Sequence, residues 1–176
     1  MISSQSKANL ETIFACVGGP QLAMTPTDEV VVSAAQPRVD QTSDIAFMIT
    51  VASFKFKLLI LFRIPASLGV EDYYSKPSSE LGFRDVFPEI CNLCGGAVNR
   101  ELSRQFEHLG LSTPNEVEPE CFEHLGVLRP STLSRHTVTI NQTISFDVLL
   151  AMVAYAPVEI VFPAPENHAA GELELL

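Results

Sequence analysis

The stretch FRDVFPEICNLCGGAVNRELSRQFEHLG, residues 83–110, decides the fold because it holds the clearest helical pattern in the chain. From about Val86 onward, apolar side chains recur every three or four residues, which is the spacing of one face of an α-helix. The members of this apolar set are Ile90, Leu93, Cys94, Ala97, Val98, Leu102, Phe106 and Leu109. Gly110 follows at the place of a left-handed C-terminal cap, so the pattern predicts a helix from Val86 to Leu109.

A helical wheel of this segment places Asp85, Glu89, Asn92, Gly96 and Ser103 together, opposite the apolar set. Glu89 and Asn92 are three residues apart, so their Cβ atoms lie about 6 Å from each other and their side chains point at the same object. A carboxylate and a carboxamide in this arrangement can hold a water molecule or a partner's side chain. Because so short a spacing also arises by chance on solvated helices, the pair alone does not establish a site.

Two features interrupt this helix, the pair Gly95-Gly96 and the single Pro88. Each glycine costs a helix about 1 kcal/mol relative to alanine, which indicates that something approaches the backbone closely. At Gly95 we expect the protein's own sheet, whereas Gly96 lies on the Glu89 side and favours a docked partner; tight internal packing at both is the alternative. Pro88 predicts either a helix that starts near Asp85, with Pro88 in its first turn, or a kink.

Shorter elements flank the long helix on both sides. Apolar spacing predicts a first helix over residues 7–16, which Gly18-Gly19-Pro20 ends. Runs of β-branched, aliphatic and aromatic residues predict strands at residues 30–32, 44–51, 54–62, 136–141 and 144–155. Residues 65–81 and 114–130 are expected to be irregular connections. This order predicts an α+β fold in which an antiparallel sheet packs against two long helices.

The pentapeptide Phe-Glu-His-Leu-Gly occurs twice, at residues 106–110 and 122–126. Two helix ends capped by glycine explain the echo, and a true internal repeat is the alternative. We therefore expect a helix to end at each of the two glycines.

Composition and charge exclude several classes of function. The chain has 176 residues, 47% of them hydrophobic and 18% charged, which predicts a single domain with loose termini at about residues 1–6 and 164–176. Its formal charge of -10 repels phosphate backbones and anionic lipids, so we expect neither a nucleic-acid nor a membrane partner. The apolar runs are shorter than the roughly 20 residues that span a bilayer, and the first residues lack the apolar core of a signal peptide. We expect a cytoplasmic protein.

Four cysteines are present, and two of them, Cys91 and Cys94, form a C-x-x-C in the long helix. Such a pair can be redox-active at a helix start, or can bind a metal together with His108 and His124. The wheel places Cys94 within the apolar side and Cys91 at its margin, which favours core packing. We therefore predict reduced thiols and no metal site.

Residues 83–110 resemble the signature helix of the CheC/CheX/FliY phosphatases of bacterial chemotaxis, and that of the CheX members in particular. The family pattern is an acidic residue or serine, then after three residues a glutamate, after two more an asparagine, and a small residue one turn later. Asp85, Glu89, Asn92 and Gly96 occupy those positions. The order of the flanking elements is similar over roughly residues 7–162, and the resemblance implies a CheC-like α+β fold.

The resemblance also implies a function, which is hydrolysis of the aspartyl phosphate of a CheY-like response regulator. It implies that Asn92 orients the attacking water and that Glu89 pairs with a lysine of the regulator. Asp85 and Gly96 are expected to contact this partner. We expect no cofactor in this chain itself, and Mg2+ on the regulator. Arg84, Arg100 and Arg104 are expected either to rim the docking face or to be ordinary solvated side chains.

A non-catalytic adaptor that binds a signalling partner without turnover is the alternative, favoured by Pro88 and by the unusual cysteines. The resemblance further implies a homodimer, because CheX proteins pair through their sheets. The strand at residues 144–155 is apolar enough to need covering at its edge.

Overall fold

Seven strands form one antiparallel sheet in the computed structural model, which describes residues 2–35, 44–75 and 81–163. The strands are β1 (Val30–Ala34), β2 (Ile45–Ala52), β3 (Phe56–Ile64), β4 (Gly110–Leu111), β5 (Asn115–Val117), β6 (Thr132–Ile140) and β7 (Ile144–Ala154). Their spatial order is β1-β6-β7-β3-β2-β4, and β5 also pairs with β2. The β-branched and aromatic runs thus pair as predicted, and the α+β architecture is confirmed.

In the described residues, four α-helices accompany the sheet: α1 (Ser4–Ile13), α2 (Leu68–Tyr74), α3 (Phe83–Leu102) and α4 (Cys121–His124). α1 continues as a π-helical turn, Phe14–Gly18, and a 3₁₀ turn, Gly19–Leu22. The helical path therefore passes through the Gly-Gly-Pro sequence that was expected to end it. Proline is tolerated there because it occupies the start of the 3₁₀ turn, where no backbone donor is needed.

The two faces of the sheet are covered unequally. One face packs against α1 and α3 and forms the main core, to which β3 contributes the alternating side chains of Phe56, Leu58, Ile60 and Phe62. The other face is covered by α4 and the 3₁₀ turn Leu125–Leu128, where Phe122 and Leu125 bury Leu59 and Leu61. The predicted packing of one antiparallel sheet on two long helices describes the first face.

Three expectations about boundaries were wrong. The long helix ends at Leu102, and no glycine of the described residues has a positive φ; His108, with a φ of 57°, takes the left-handed conformation instead. Gly110 is extended and pairs with Ala52. The second copy of the pentapeptide forms α4 and the 3₁₀ turn that follows it, so the two copies have different structures.

Expectations about the sheet edge, the two connections and the amino terminus were also wrong. Residues 144–155 do not form an edge, because β7 lies between β3 and β6. The connection 65–81 contains α2, and residues 114–130 contain β5 and α4. Residues 2–6, expected to be loose, include the start of α1, where the Ser3 hydroxyl accepts from the Ser6 amide. The expected loose tail, 164–176, lies outside the described residues.

None of the helices described is long and apolar enough to cross a membrane.

Candidate functional site

The start of α3 carries the predicted site, and the helix begins at Phe83, three residues before the predicted start at Val86. Gly82 is the N-cap, and its backbone amide donates to the Asp85 carboxylate at 3.0 Å. Asp85 therefore stabilises the first turn, as an acidic residue at this position commonly does. Its predicted role in contacting a partner stays a prediction.

Pro88 lies in the second turn of α3 and not in its first turn, and the helix continues through it. A proline in the interior of a helix removes one backbone hydrogen bond and costs about 3 kcal/mol. Phe87, directly before it, is fully buried, with ring centroids of Tyr74 at 4.9 Å and of Phe47 at 5.4 Å. This aromatic packing holds the helix start against the sheet and offsets the lost hydrogen bond.

Glu89 and Asn92 are both exposed on α3, as the wheel predicted. Within the described part of the chain, neither side chain has a hydrogen bond or an ion pair. The helix thus presents a carboxylate and a carboxamide about one turn apart, with all their hydrogen-bonding capacity directed to solvent. Such a pair can accept from a cation and can both donate to and accept from water.

The two glycines of α3 have different surroundings. A Cβ atom at Gly95 would lie 2.8 Å from Ile49 Cδ1 and 3.2 Å from Ile49 Cγ2, because the helix backbone rests on β2 there. A Cβ atom at Gly96 would have only Leu111 Cδ2 nearby, at 4.0 Å, which is ordinary van der Waals contact. Internal packing therefore accounts for Gly95, as expected, and leaves Gly96 without an internal reason.

Leu93 was placed on the apolar side by its spacing, and this was wrong, since it is 55% exposed. On a wheel it lies about 40° from Glu89, at the margin of the apolar arc, and none of the elements that the structure describes covers that margin. The small angle between Leu93 and Glu89 could have indicated this exposure, but periodicity alone does not define how wide the buried arc of the helix is. An exposed leucine therefore borders the Glu89–Asn92 pair.

The arginines near this face have different partners. Arg84 forms an ion pair with Glu116 of β5, a residue that the sequence did not single out. Arg104 pairs with Glu101 at 2.8 Å. Arg100 is exposed and has no charged partner among the residues described. Of the three, Arg100 is the cation most available to a partner.

Cys91 and Cys94 are fully buried, which confirms the core interpretation of the C-x-x-C. Burial raises the pKa of both thiols well above the ordinary value, because a thiolate would lose its hydration. His108 and His124 are exposed, and no cluster of three or more candidate metal ligands occurs in residues 2–35, 44–75 and 81–163. This burial favours core packing over a redox role for the pair, and the expected absence of a bound metal stays a prediction.

No family model and no curated protein sequence matches the chain significantly. Solved structures match it well. The chemotaxis protein CheX from Vibrio vulnificus superposes with a TM-score of 0.54 at 11% identity, covering 81% of this chain and 95% of that chain. The chain has a CheX-like fold.

Two further crystal structures share this fold. A CheC-like superfamily protein from Shewanella sp. PV-4 matches with a TM-score of 0.50 at 11% identity, covering 85% of this chain and 98% of that one. A chain of the CheX–CheY–BeF3–Mg2+ complex from Borrelia burgdorferi matches with a TM-score of 0.51 at 10% identity, covering 84% of this chain and 97% of that one. The resemblance seen in the signature helix is confirmed for the fold, while the roles of Glu89, Asn92, Asp85 and Gly96 stay predictions.

Proposed function

We propose that this CheX-like protein binds a phosphorylated CheY-like response regulator and hydrolyses its aspartyl phosphate, in chemotaxis or another two-component circuit. The observation that carries the proposal is the Glu89–Asn92 pair, exposed on the long helix of a CheX-like fold and without a side-chain partner in residues 2–35, 44–75 and 81–163. The CheX–CheY complex among the structural neighbours supports the choice of partner.

The proposed chemistry needs no covalent intermediate on this chain. Asn92 holds a water molecule in line with the phosphorus atom, since a carboxamide both accepts from and donates to water. The water oxygen forms a bond to phosphorus as the bond to the aspartyl oxygen breaks, and the products are aspartate and inorganic phosphate. Glu89 anchors a lysine of the regulator, and its exposure leaves the carboxylate free to do so.

Mg2+ belongs to the regulator in this proposal, where it neutralises charge that develops on the phosphoryl oxygens. This chain contributes positioning of water and docking. A cytoplasmic location is part of the same proposal, because the regulator is the partner.

The direct test is the release of phosphate from CheY-type regulators labelled with an acyl phosphate, with and without this protein. The proposal predicts that substoichiometric protein shortens the lifetime of the phosphorylated form over many turnovers. Binding without any acceleration would support the adaptor instead, for which the position of Pro88 directly before Glu89 is the specific observation. A protein that neither binds nor accelerates would contradict both functions.

We also propose a homodimer, formed through the face of the sheet that α4 covers only in part. Exposed apolar side chains lie on this side, and they are Val127, Leu128, Leu133 and Tyr155. Val127, Leu128 and Tyr155 border a groove of about 600 Å³ between the sheet and the 3₁₀ turn Leu125–Leu128, and Leu133 lies on the same sheet face, opposite Ala151 of β7. Sedimentation equilibrium should give twice the mass of the chain for the wild type and the single-chain mass for Leu133→Asp; a monomeric wild type would contradict the dimer.

A further inference from the structure

Four residues of α3 form a stripe along its exposed side, at positions i, i+4, i+7 and i+11: Glu89, Leu93, Gly96 and Arg100. This spacing keeps side chains on one line of a helix surface, and eleven residues span about 16 Å of helix axis. We call these four residues the docking stripe. Asn92 lies beside the stripe, about one turn from both Glu89 and Gly96.

The centre of the docking stripe is apolar and recessed. Leu93 is 55% exposed, and among the clearly exposed residues of α3 it is the apolar one; the others are Arg84, Asp85, Glu89, Asn92 and Arg100. Gly96 is its neighbour one turn on, and packing does not require a glycine there, since a Cβ would meet only Leu111 at 4.0 Å. Because Gly96 has no side chain, the helix backbone beside Leu93 is open to close approach by a partner.

The ends of the docking stripe carry opposite charges. Glu89 is at one end and Arg100 at the other, and neither has a charged partner within the described ranges. Arg84, outside the stripe, is already neutralised by Glu116. A complementary surface therefore presents a cation, then an apolar group, then a carboxylate, in this order and over about 16 Å.

We propose that the docking stripe sets the orientation in which the regulator binds, with an apolar side chain of the regulator against Leu93 and Gly96 and a carboxylate at Arg100. This inference rests on the proposed function and adds two contacts to it. With Glu89 alone as anchor, a partner could rotate about a single ion pair. Contacts on both sides of Gly96 remove that freedom and bring the phosphoryl group to Asn92.

The first test removes the apolar contact. Leu93→Ala keeps the helix, because alanine is the better helix former and the leucine is exposed. With a CheY-type regulator carrying BeF3⁻ and Mg2+, the variant should raise Kd by about five- to tenfold. With the phosphorylated regulator, KM should rise by a similar factor while kcat changes by less than about twofold, since a lost docking contact affects binding more than chemistry.

The matched control is Val31→Ala. Val31 is 49% exposed and lies on β1, at the edge of the sheet opposite to β4, so it should change neither constant. Circular dichroism of all variants checks that the fold is retained. An unchanged Kd for Leu93→Ala would overturn the inference.

The second test reverses the charge at the other end. Arg100→Glu should weaken binding of the same regulator by about tenfold at low salt, and the difference should shrink as salt is added. Arg129→Glu, which makes the same change in net charge at an exposed residue after α4, controls for the overall charge. Equal effects of the two variants would contradict a specific contact at Arg100.

The outcomes separate this inference from the proposed function. If the wild type turns over and Leu93→Ala has the same Kd and KM, the docking stripe is contradicted and the phosphatase function stands. If the wild type binds the regulator without turnover, the phosphatase function is contradicted. The Kd values of the variants relative to the wild type then test the docking stripe. A wild type that binds no regulator of the CheY type overturns both.

Discussion

The buried and exposed faces of α3 carry the same i, i+3 spacing of chemically active residues, yet the two pairs have opposite properties. Cys91 and Cys94 are fully buried, and burial keeps their thiols protonated by raising their pKa. Glu89 and Asn92 face solvent without a partner in the described ranges. The difference teaches that spacing brings side chains together, whereas the face of the helix decides whether they can act on anything outside the protein.

The largest effect expected on the exposed face is that of Asn92→Ala. We expect a loss of about 100-fold or more in the acceleration of phosphate release, because the variant removes the group that positions water. The free energy of unfolding should change little, since the side chain is exposed and unpartnered. Single-turnover kinetics and urea denaturation measure the two quantities.

Gln5→Ala is the matched control for this variant, because it removes an exposed carboxamide from α1. It should leave turnover unchanged. Wild-type turnover in the Asn92→Ala protein would contradict the proposed mechanism.

The two neighbouring glycines offer a sharper comparison of the faces. Gly95→Ala should lower the free energy of unfolding by about 1–3 kcal/mol, because the new methyl group would press against Ile49. Gly96→Ala should keep or raise it by up to about 1 kcal/mol, since alanine favours the helix and meets only Leu111. Urea denaturation of both variants checks the order, and equal losses would show that Gly96 is also an internal packing position.

Charge reversal at Glu89 tests the docking function of the exposed face. Glu89→Lys should weaken binding to the regulator by about tenfold at low salt, through repulsion of the lysine that Glu89 is proposed to anchor. Added salt should relieve part of the loss, because it screens exposed charges. Titration calorimetry at two ionic strengths measures this; normal binding with no turnover would instead assign Glu89 a role in the chemistry.

The smallest effects are expected on the buried face. Cys91→Ala and Cys94→Ala should each cost about 1 kcal/mol of stability through lost packing, and turnover in reducing buffer should survive the double variant. The purified protein should contain no stoichiometric zinc. One bound zinc per chain, or activity that switches on thiol oxidation, would make the C-x-x-C a functional site.

The raised thiol pKa values add a pH signature to this last prediction. The pKa of the buried thiol is higher in the folded state than its unfolded value of 9.0. Its contribution to the free energy of unfolding is therefore complete below pH 9.0 and is lost as the pH rises above that value. Thermal melts between pH 7 and pH 10.5 should therefore show an alkaline loss of stability. The loss should be smaller in the double alanine variant. Part of it should remain, because burial also raises the pKa of Tyr74.

Part of the fold could be predicted because its signals are local. The strands were found from β-branched and aromatic runs, and the exposed site from the angle between Glu89 and Asn92 on the wheel. The end of α3 could not, because Phe106 is buried after the helix has ended, with its ring centroid 5.0 Å from that of Phe56. The periodic burial thus continues into the turns that follow Leu102, where the Phe106 amide still donates to the Leu102 carbonyl at 3.0 Å, and the pattern alone extends the helix too far.

Short elements were missed for a related reason. α2 has only seven residues, and a helix of that length is stable through its tertiary contacts and not through propensity. The fully buried Tyr74 supplies one of them, since its hydroxyl donates to the Leu22 carbonyl at 2.8 Å. This contact is not visible in the spacing of apolar residues within 65–81.

The sequence by itself determined that α3 is amphipathic, that Glu89 and Asn92 share its polar face, and that the C-x-x-C lies on its apolar face. An α-helix turns by a fixed angle of about 100° per residue, so the spacing of residues in the sequence is enough to assign them to a face. Only the tertiary structure decided that Gly95 meets Ile49 while Gly96 stays open, that Leu93 is left uncovered, and that Arg84 is neutralised by Glu116. Each of those outcomes depends on which distant strand lies beside the helix, and local periodicity contains no information about that neighbour.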